Sequence, residues 1–374
     1  MINETRLQDE FIELVKIDSE TGSEREIANV LKKKFEALGL DVYEDDAAKQ
    51  TGHGAGNIIA TLQASDEAID KDKTPIYFTS HMDTVVPGNN IKPEVKDGYV
   101  VTDGTTILGA DDKAGISAML EAIRILNEQN ISHGMIQFII TVGEESGLVG
   151  ARVLEKERIL AKYGYALDSD GPVGDIIVAA PSQAKIHAKI YGRTAHAGVE
   201  PEKGISAITV AAKAVSRMPL GRIDKETTAN IGRFEGGSKT NIVCDYVEVL
   251  AEARSLEESK LQKQVEKMKR GFEEAAEMMG TSAEVNIEIT YPGYKKSETD
   301  QVVQIAQAAM KAIGRVPKLL ESGGGSDANI ISSFGIPTVN LAVGYEKIHT
   351  KEERMPLSEL NKTAEAIIAI TKQV

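Results

Sequence analysis

Cysteine is almost absent from this chain. Among 374 residues only Cys244 carries a thiol, so an internal disulfide is excluded, as suits a reducing cytosol, and a cytoplasmic protein is expected. Long apolar runs are absent too. No segment approaches the roughly 18 continuous apolar residues of a membrane span. The opening MINETRLQDEFIELVKIDSE has no apolar signal core, and predicts an amphipathic helix rather than a secretory leader. Basic charge is in deficit, with 43 Lys and Arg against 57 Asp and Glu and a formal net charge of −14. No local Lys/Arg cluster reverses that balance, so no nucleic acid and no anionic membrane are expected as partners. The acidity itself reads as solubility. Histidine is scarce as well, six in all, which makes the places where it falls informative.

What is present is ordinary for a soluble globular protein: 41% apolar and 27% charged residues. The length suggests two domains. Leu7, Phe11, Leu14 and Val15 recur at helical spacing, and a second helix starts at Ser23-x-x-Glu26 and stops at Gly39. Strands are predicted over 57–62, 74–80 and 135–142, with a strong helix over 112–127 between the last two. Such alternation means an α/β fold with a mixed, mostly parallel sheet covered on both faces. The style changes near residue 180. Strands over 185–191, 229–234, 243–253 and 282–290, with helices over 204–218 and 255–279, give the order β-α-β-β-α-β of an inserted ferredoxin-like α+β unit. After Tyr291-Pro292-Gly293 the α/β style resumes, with a helix over 302–313, a strand over 338–343 and a closing helix over 358–373. A discontinuous domain of residues 1–180 and 293–374, interrupted by an insert of 181–292, is the simplest organisation.

The metal-capable residues sit where predicted strands end, which is where open α/β sheets build their sites. His81 and Asp83 stand in TSHMDTVVPG, Asp111 and Asp112 in GADDKAG, Glu144 and Glu145 in TVGEESG, Asp168 in YGYALDSDG, and His349 in EKIHTKEE. Two histidines and several carboxylates converging at one edge are the ingredients of a two-metal hydrolytic centre. Alternate strand residues share a face, so Asp83 can reach His81 and hold its tautomer, leaving the other nitrogen for metal. The bland reading is a strand-end histidine with a satisfied neighbour. Asp111 could equally be a helix cap. Adjacent glutamates repel unless a cation lies nearby, and can divide into a metal ligand and a general base. His53, His133 and His349 would ordinarily be surface residues, and His187 would pack or pair in the insert. His196, among small residues in GRTAHAGVEPEKG, could donate to a charge developing on a substrate or merely cap its loop.

Together, HMDTV, GADDKAG, VGEESG, ALDSDGPVG, GRTAHAGVEPEKGISAI, TNIV, GGGSDAN and the late His349 make the chain resemble the M20 family of metallopeptidases, and within it the peptidase T-like (tripeptidase) group. The resemblance spans essentially the whole chain. It implies a zinc-exopeptidase-like catalytic domain with an inserted lid/dimerisation domain, and a homodimer formed through that lid. It implies two zinc ions per subunit, with cobalt or manganese as alternatives, bridged by Asp111. One ion would also take His81 and Asp168, the other Glu145 and His349. Asp168 is preferred to Asp170 because it directly follows the strand Tyr165-Ala166-Leu167. Asp83 would orient His81, Glu144 would act as general base, and His196 would stabilise the oxyanion. Asn241 and Arg254 match positions that hold substrate, Ser322 to Gly325 reads as a substrate-approach loop, with Gly324 and Gly325 against the substrate, and a cis peptide is expected between Asp111 and Asp112. The expected reaction is hydrolysis of a small peptide. Gly323 stands where tripeptidases of the group carry an arginine, so the alternative is an M20-type amidohydrolase or deacylase acting on N-acyl amino acids.

Overall fold

A computed structural model describes residues 2–65 and 73–374. The chain divides into two compact units: Met1–Ala179, Lys296–Glu321 and Ser326–Val374 form the larger, and Ala180–Lys295 with Ser322–Gly325 the smaller. The glycine loop thus groups with the insert, a placement its sequence position does not reveal.

In the larger unit the sheet runs in the order Asp41–Glu44, Ile58–Leu62, Ile136–Thr141, Ile76–His81, Tyr163–Ser169, Thr338–Ala342, Asp175–Ala180. Its centre is parallel: Ile76–His81 pairs in parallel with both Ile136–Thr141 and Tyr163–Ser169, and the latter with Thr338–Ala342. Antiparallel pairs flank it. Central strands buried on both faces read as unbroken apolar runs, which is why they are visible in the sequence. Phe138, Phe78 and Tyr165 lie side by side in register, with ring centroids 6.0 and 5.7 Å apart. His81 and Asp168 each lie three residues beyond a rung of this ladder. Both therefore leave the sheet at one level and on one side.

Helices Glu4–Val15, Ala110–Glu128, Gln301–Ala312 and Leu357–Gln373 present their apolar sides to a core that includes Leu7, Phe11, Ile123 and Ile367. Burying one such side chain contributes about 1.5–3 kcal/mol. The short elements escape sequence reading: Asp41–Glu44, the helix Ala47–Thr51, Asp175–Ala180, Lys318–Glu321, and a small sheet of Glu94–Lys96, Tyr99–Val101 and Arg354–Pro356. Most are too brief or too polar to show a period. Among the described residues no helix is long and apolar enough to cross a membrane.

The smaller unit is an antiparallel sheet in the order Gly221–Arg222, Thr227–Gly236, Tyr246–Ser255, Ser182–Tyr191, Ala283–Tyr291, with helices Ala207–Arg217 and Glu258–Met278. Chain order and sheet order together are those of a ferredoxin-like fold. Ile186, Ala188 and Ile190 pack on Val210, Leu261 and Phe272, as the period-two and helical patterns require. His187 pairs with Glu248 at 2.7 Å. His133, expected at the surface, is instead buried, with its Nδ1 2.8 Å from the carbonyl of Gly134.

Candidate metal centre

Five of the candidate residues meet in the larger unit. His81 ends its strand, Glu145 lies in the turn after Thr141, and Asp168 is in the strand Tyr163–Ser169, while Asp170 points to solvent. Asp111 lies at the start of the helix Ala110–Glu128, where it and Asp112 depart from helical geometry (φ −80°, ψ 101° and φ −123°, ψ 33°). The expected cis peptide joins them, and a second joins Val86 to Pro87. His349 is held in a left-handed conformation (φ 60°) within a loop.

The distances are short. His81 Nε2 lies 3.1 Å from Asp111 Oδ1 and 3.7 Å from Asp168 Oδ1. His349 Nε2 lies 3.2 Å from Asp111 Oδ2 and 2.9 Å from Glu145 Oε1. Asp111 thus turns one oxygen to each imidazole. Among the described residues three donor triads can each converge within 4.8 Å: His81, Asp111 and Asp168; Asp111, Glu145 and His349; and His81, Glu144 and Glu145. The last shows that position alone also offers Glu144 as a donor.

Asp83 meets His81 chiefly through its main chain. His81 Nδ1 is 2.9 Å from the backbone carbonyl of Asp83, and 3.6 Å from its carboxylate. The carbonyl, an acceptor only, therefore holds a proton on Nδ1, so that Nε2, which faces Asp111, is the nitrogen a metal would take. The Asp83 carboxylate also accepts the backbone N–H groups of Glu144 and Glu145 at 3.0 and 3.2 Å.

Other residues join the site without having been singled out. The Tyr345 hydroxyl donates to Asp168 at 3.2 Å. Asn340 grips the Asp168 backbone, accepting its N–H at 2.9 Å and donating to its carbonyl at 2.5 Å. Asp327, buried, bonds the Thr141 hydroxyl through one oxygen and leaves the other without a partner. His53, taken for a surface residue, has Nε2 3.0 Å from the Ser146 hydroxyl and so touches the glutamate turn. Asp327 lies in the quoted GGGSDAN motif and could have been found; nothing around His53 marks it.

The cluster is short of positive charge. Burial among other carboxylates raises Asp168 to about 7 and pushes Glu144 well above its ordinary range. Hydrogen bonds to Asp111 and Glu145 raise His349 to about 10. Burial would lower His81, yet the surrounding carboxylates of Asp111, Asp168 and Asp83 carry it upward. Asp111 is held low despite its burial by the two histidines. Carboxylates this crowded, with imidazole nitrogens directed among them, fit divalent cations of the oxygen- and nitrogen-seeking kind.

The remaining candidates belong to the smaller unit. His196 and Asn241 are exposed, and His196 Nδ1 accepts the N–H of Gly198 at 3.1 Å, which puts the ring proton on Nε2. Arg254 donates to Glu252 at 2.9 and 3.1 Å. The N–H of Gly324 donates to the Ser322 hydroxyl, and a Cβ on Gly325 would meet the Tyr291 ring at 2.4 Å.

A strand-edge cluster of this composition on a mixed α/β sheet defines a metal-dependent hydrolase. The chain belongs to peptidase family M20/M25/M40, whose family model matches residues 77–373. It is 66% identical over 373 residues to the uncharacterized protein YqjE of Bacillus subtilis (strain 168), covering 100% of this chain and 99% of the relative. Among solved structures it resembles the aminopeptidase PepT of Bacillus cereus ATCC 10987 (64% identity, TM-score 0.92). It also resembles a tripeptidase of Staphylococcus aureus subsp. aureus Mu50 (54% identity, TM-score 0.96). Each comparison covers 100% of this chain and 99% of the other. The enzyme is thus a hydrolase of the exopeptidase kind, and the amidohydrolase alternative is the less supported reading.

Proposed function

We propose that the protein is a tripeptidase or aminopeptidase that removes residues from small peptides, using two zinc ions held at the Asp111 cluster. One observation carries the reading: the two oxygens of Asp111 face His81 and His349 at 3.1 and 3.2 Å. His81 and Asp168 would complete one ion's donors and Glu145 and His349 the other's; cobalt and manganese suit the same donors. Bound there, the ions would polarise the scissile carbonyl and make an attacking water more acidic.

The chain's own groups do the rest. Glu145, 2.9 Å from His349, is assigned to ligation. That leaves Glu144 to take the proton from water and return it to the departing amine. Its carboxyl is buried beside the cluster, in ligand range of His81 and Glu145, where it could meet a water held there. His196, with its proton on Nε2, would donate to the oxyanion. Asn241, Arg254, Gly324 and Gly325 would receive the peptide, with Arg254 facing its carboxylate. The names of the Bacillus cereus and Staphylococcus aureus neighbours support free peptides as the substrate class. A cytoplasmic homodimer joined through the smaller, lid-forming unit completes the proposal, and light scattering of the purified protein tests its size.

The test of function is elemental analysis followed by a panel of free tripeptides, dipeptides and N-acyl amino acids, with zinc, cobalt or manganese added. Two ions per chain and turnover of free peptides are expected. Preference for N-acyl amino acids would overturn the peptidase assignment.

A further inference from the structure

One loop holds Asp111 at both ends. The loop is closed by paired backbone bonds between Glu346 and Arg354, at 2.9 and 3.1 Å. From it His349 reaches the Asp111 carboxylate. Four residues later Glu353, only 1% exposed, turns back into the protein. Its Oε2 accepts the backbone N–H groups of Leu108 and Gly109 at 2.8 and 2.9 Å, and its Oε1 accepts that of Asp111 at 3.1 Å. The segment it grips is the entry to the helix Ala110–Glu128, where main-chain amides have no helical acceptor and a buried anion is stabilised.

We propose that Glu353 is a positioning residue for the metal centre, setting the main chain of Asp111 against the loop that supplies His349. A buried carboxylate is costly unless its oxygens are fully bonded, and three amides satisfy this one. A simple helix cap would require no link to the His349 loop. Here the residue that fixes the shared ligand's backbone and the residue that faces its side chain are parts of one loop, closed by the Glu346–Arg354 pair. Displacing Glu353 would separate Asp111 from His349 while leaving the strand-borne His81 and Asp168 where they are. The assignment rests on the metal-centre reading above.

Glu353→Gln separates these roles. A glutamine oxygen can still accept from Leu108 and Gly109, but its amide then meets the Asp111 N–H donor to donor. Zinc titrated into metal-free protein against a chromophoric chelator should bind about 10–100-fold more weakly at one of two sites, the usual effect of removing an outer partner of a ligand. Glu24→Gln is the control, because Glu24 is also fully buried and pins the N–H groups of Gly22 and Gly54 at 2.7 and 2.9 Å. It should lower the melting temperature without changing zinc affinity. If Glu353→Gln does not fold, Glu353→Asp, one methylene shorter and still charged, enters the same comparison. Unchanged zinc affinity in the Glu353 variants, or a loss no greater than in Glu24→Gln, would reduce Glu353 to a structural cap. Wild-type protein that takes up no zinc would instead remove the metal-centre reading itself.

Discussion

Asp83 holds Glu144 by its backbone, with the carboxylate accepting the Glu144 N–H at 3.0 Å and that of Glu145 at 3.2 Å. The proposed base and the proposed ligand are thereby set by one buried anion. Asp83→Asn retains one acceptor and puts an amide against the other N–H. We expect kcat to fall about 10–100-fold, as for other groups that orient a catalytic set, with KM little changed. Equal kcat in the variant would leave Asp83 without a positioning role.

Glu144→Gln keeps the shape of the side chain and removes its basicity. Turnover should drop by about 10²–10⁴-fold, the usual contribution of a general base. Metal content measured in parallel should be unaltered. Loss of an ion from this variant would mean that Glu144, which lies in ligand range of His81, is a donor.

Dialysis against a chelator should abolish activity, and zinc, cobalt or manganese should restore it. The folded state alone gathers these donors, so metal should also raise the melting temperature. At free metal one hundred times Kd the gain is about 2.7 kcal/mol. A melting curve indifferent to metal would contradict a cluster formed only on folding.

Gly115 lies on the helix behind the centre, where a Cβ would come within 2.4 Å of the Ser80 hydroxyl and 2.9 Å of the Leu167 carbonyl. Gly115→Ala must push the helix away from the strands that carry His81 and Asp168. A loss of about 1–3 kcal/mol is expected from overpacking of this kind, read from denaturant midpoints. Full stability would mean that the helix shifts freely.

Acid should weaken an ion pair that includes none of the metal-centre residues. Burial alone would raise Glu44, but bonds from Arg25, the Gly56 amide and Lys32 bring it down to about 2. A carboxylate depressed in the folded state contributes stability that is present above its ordinary value and lost as pH falls toward the folded one. Arg25 is largely solvated, so we expect about 1 kcal/mol at neutral pH. The difference between wild type and Glu44→Gln should vanish between about pH 5 and pH 2. A difference that persists at pH 2 would assign it to packing.

Much of the architecture is legible because it is periodic. The central strands are buried on both faces and read as apolar runs, and the insert's strands alternate because only one face meets its helices, as Ile186, Ala188 and Ile190 show. The gathered histidines and carboxylates are legible for a different reason. His81 and Asp168 lie at strand ends and Asp111 and Glu145 within two residues of a glycine, each in a motif of the family to which the chain belongs. His349 stands in a polar loop and carries no such local mark.

Residue type and spacing along the chain therefore determined the fold class, the acidic and disulfide-free character, and which side chains could carry metal chemistry. Tertiary structure alone decided what each group faces. It set the Asp83 carboxylate on the 144–145 amides as well as 3.6 Å from His81, buried His133, and brought His53 to Ser146. It also drew Glu353 out of a charged stretch that looks solvated and placed it on amides 242 to 245 positions away. Periodicity reports which side of an element is buried, but the partner of a buried polar atom depends on where distant loops close, and no local pattern records that.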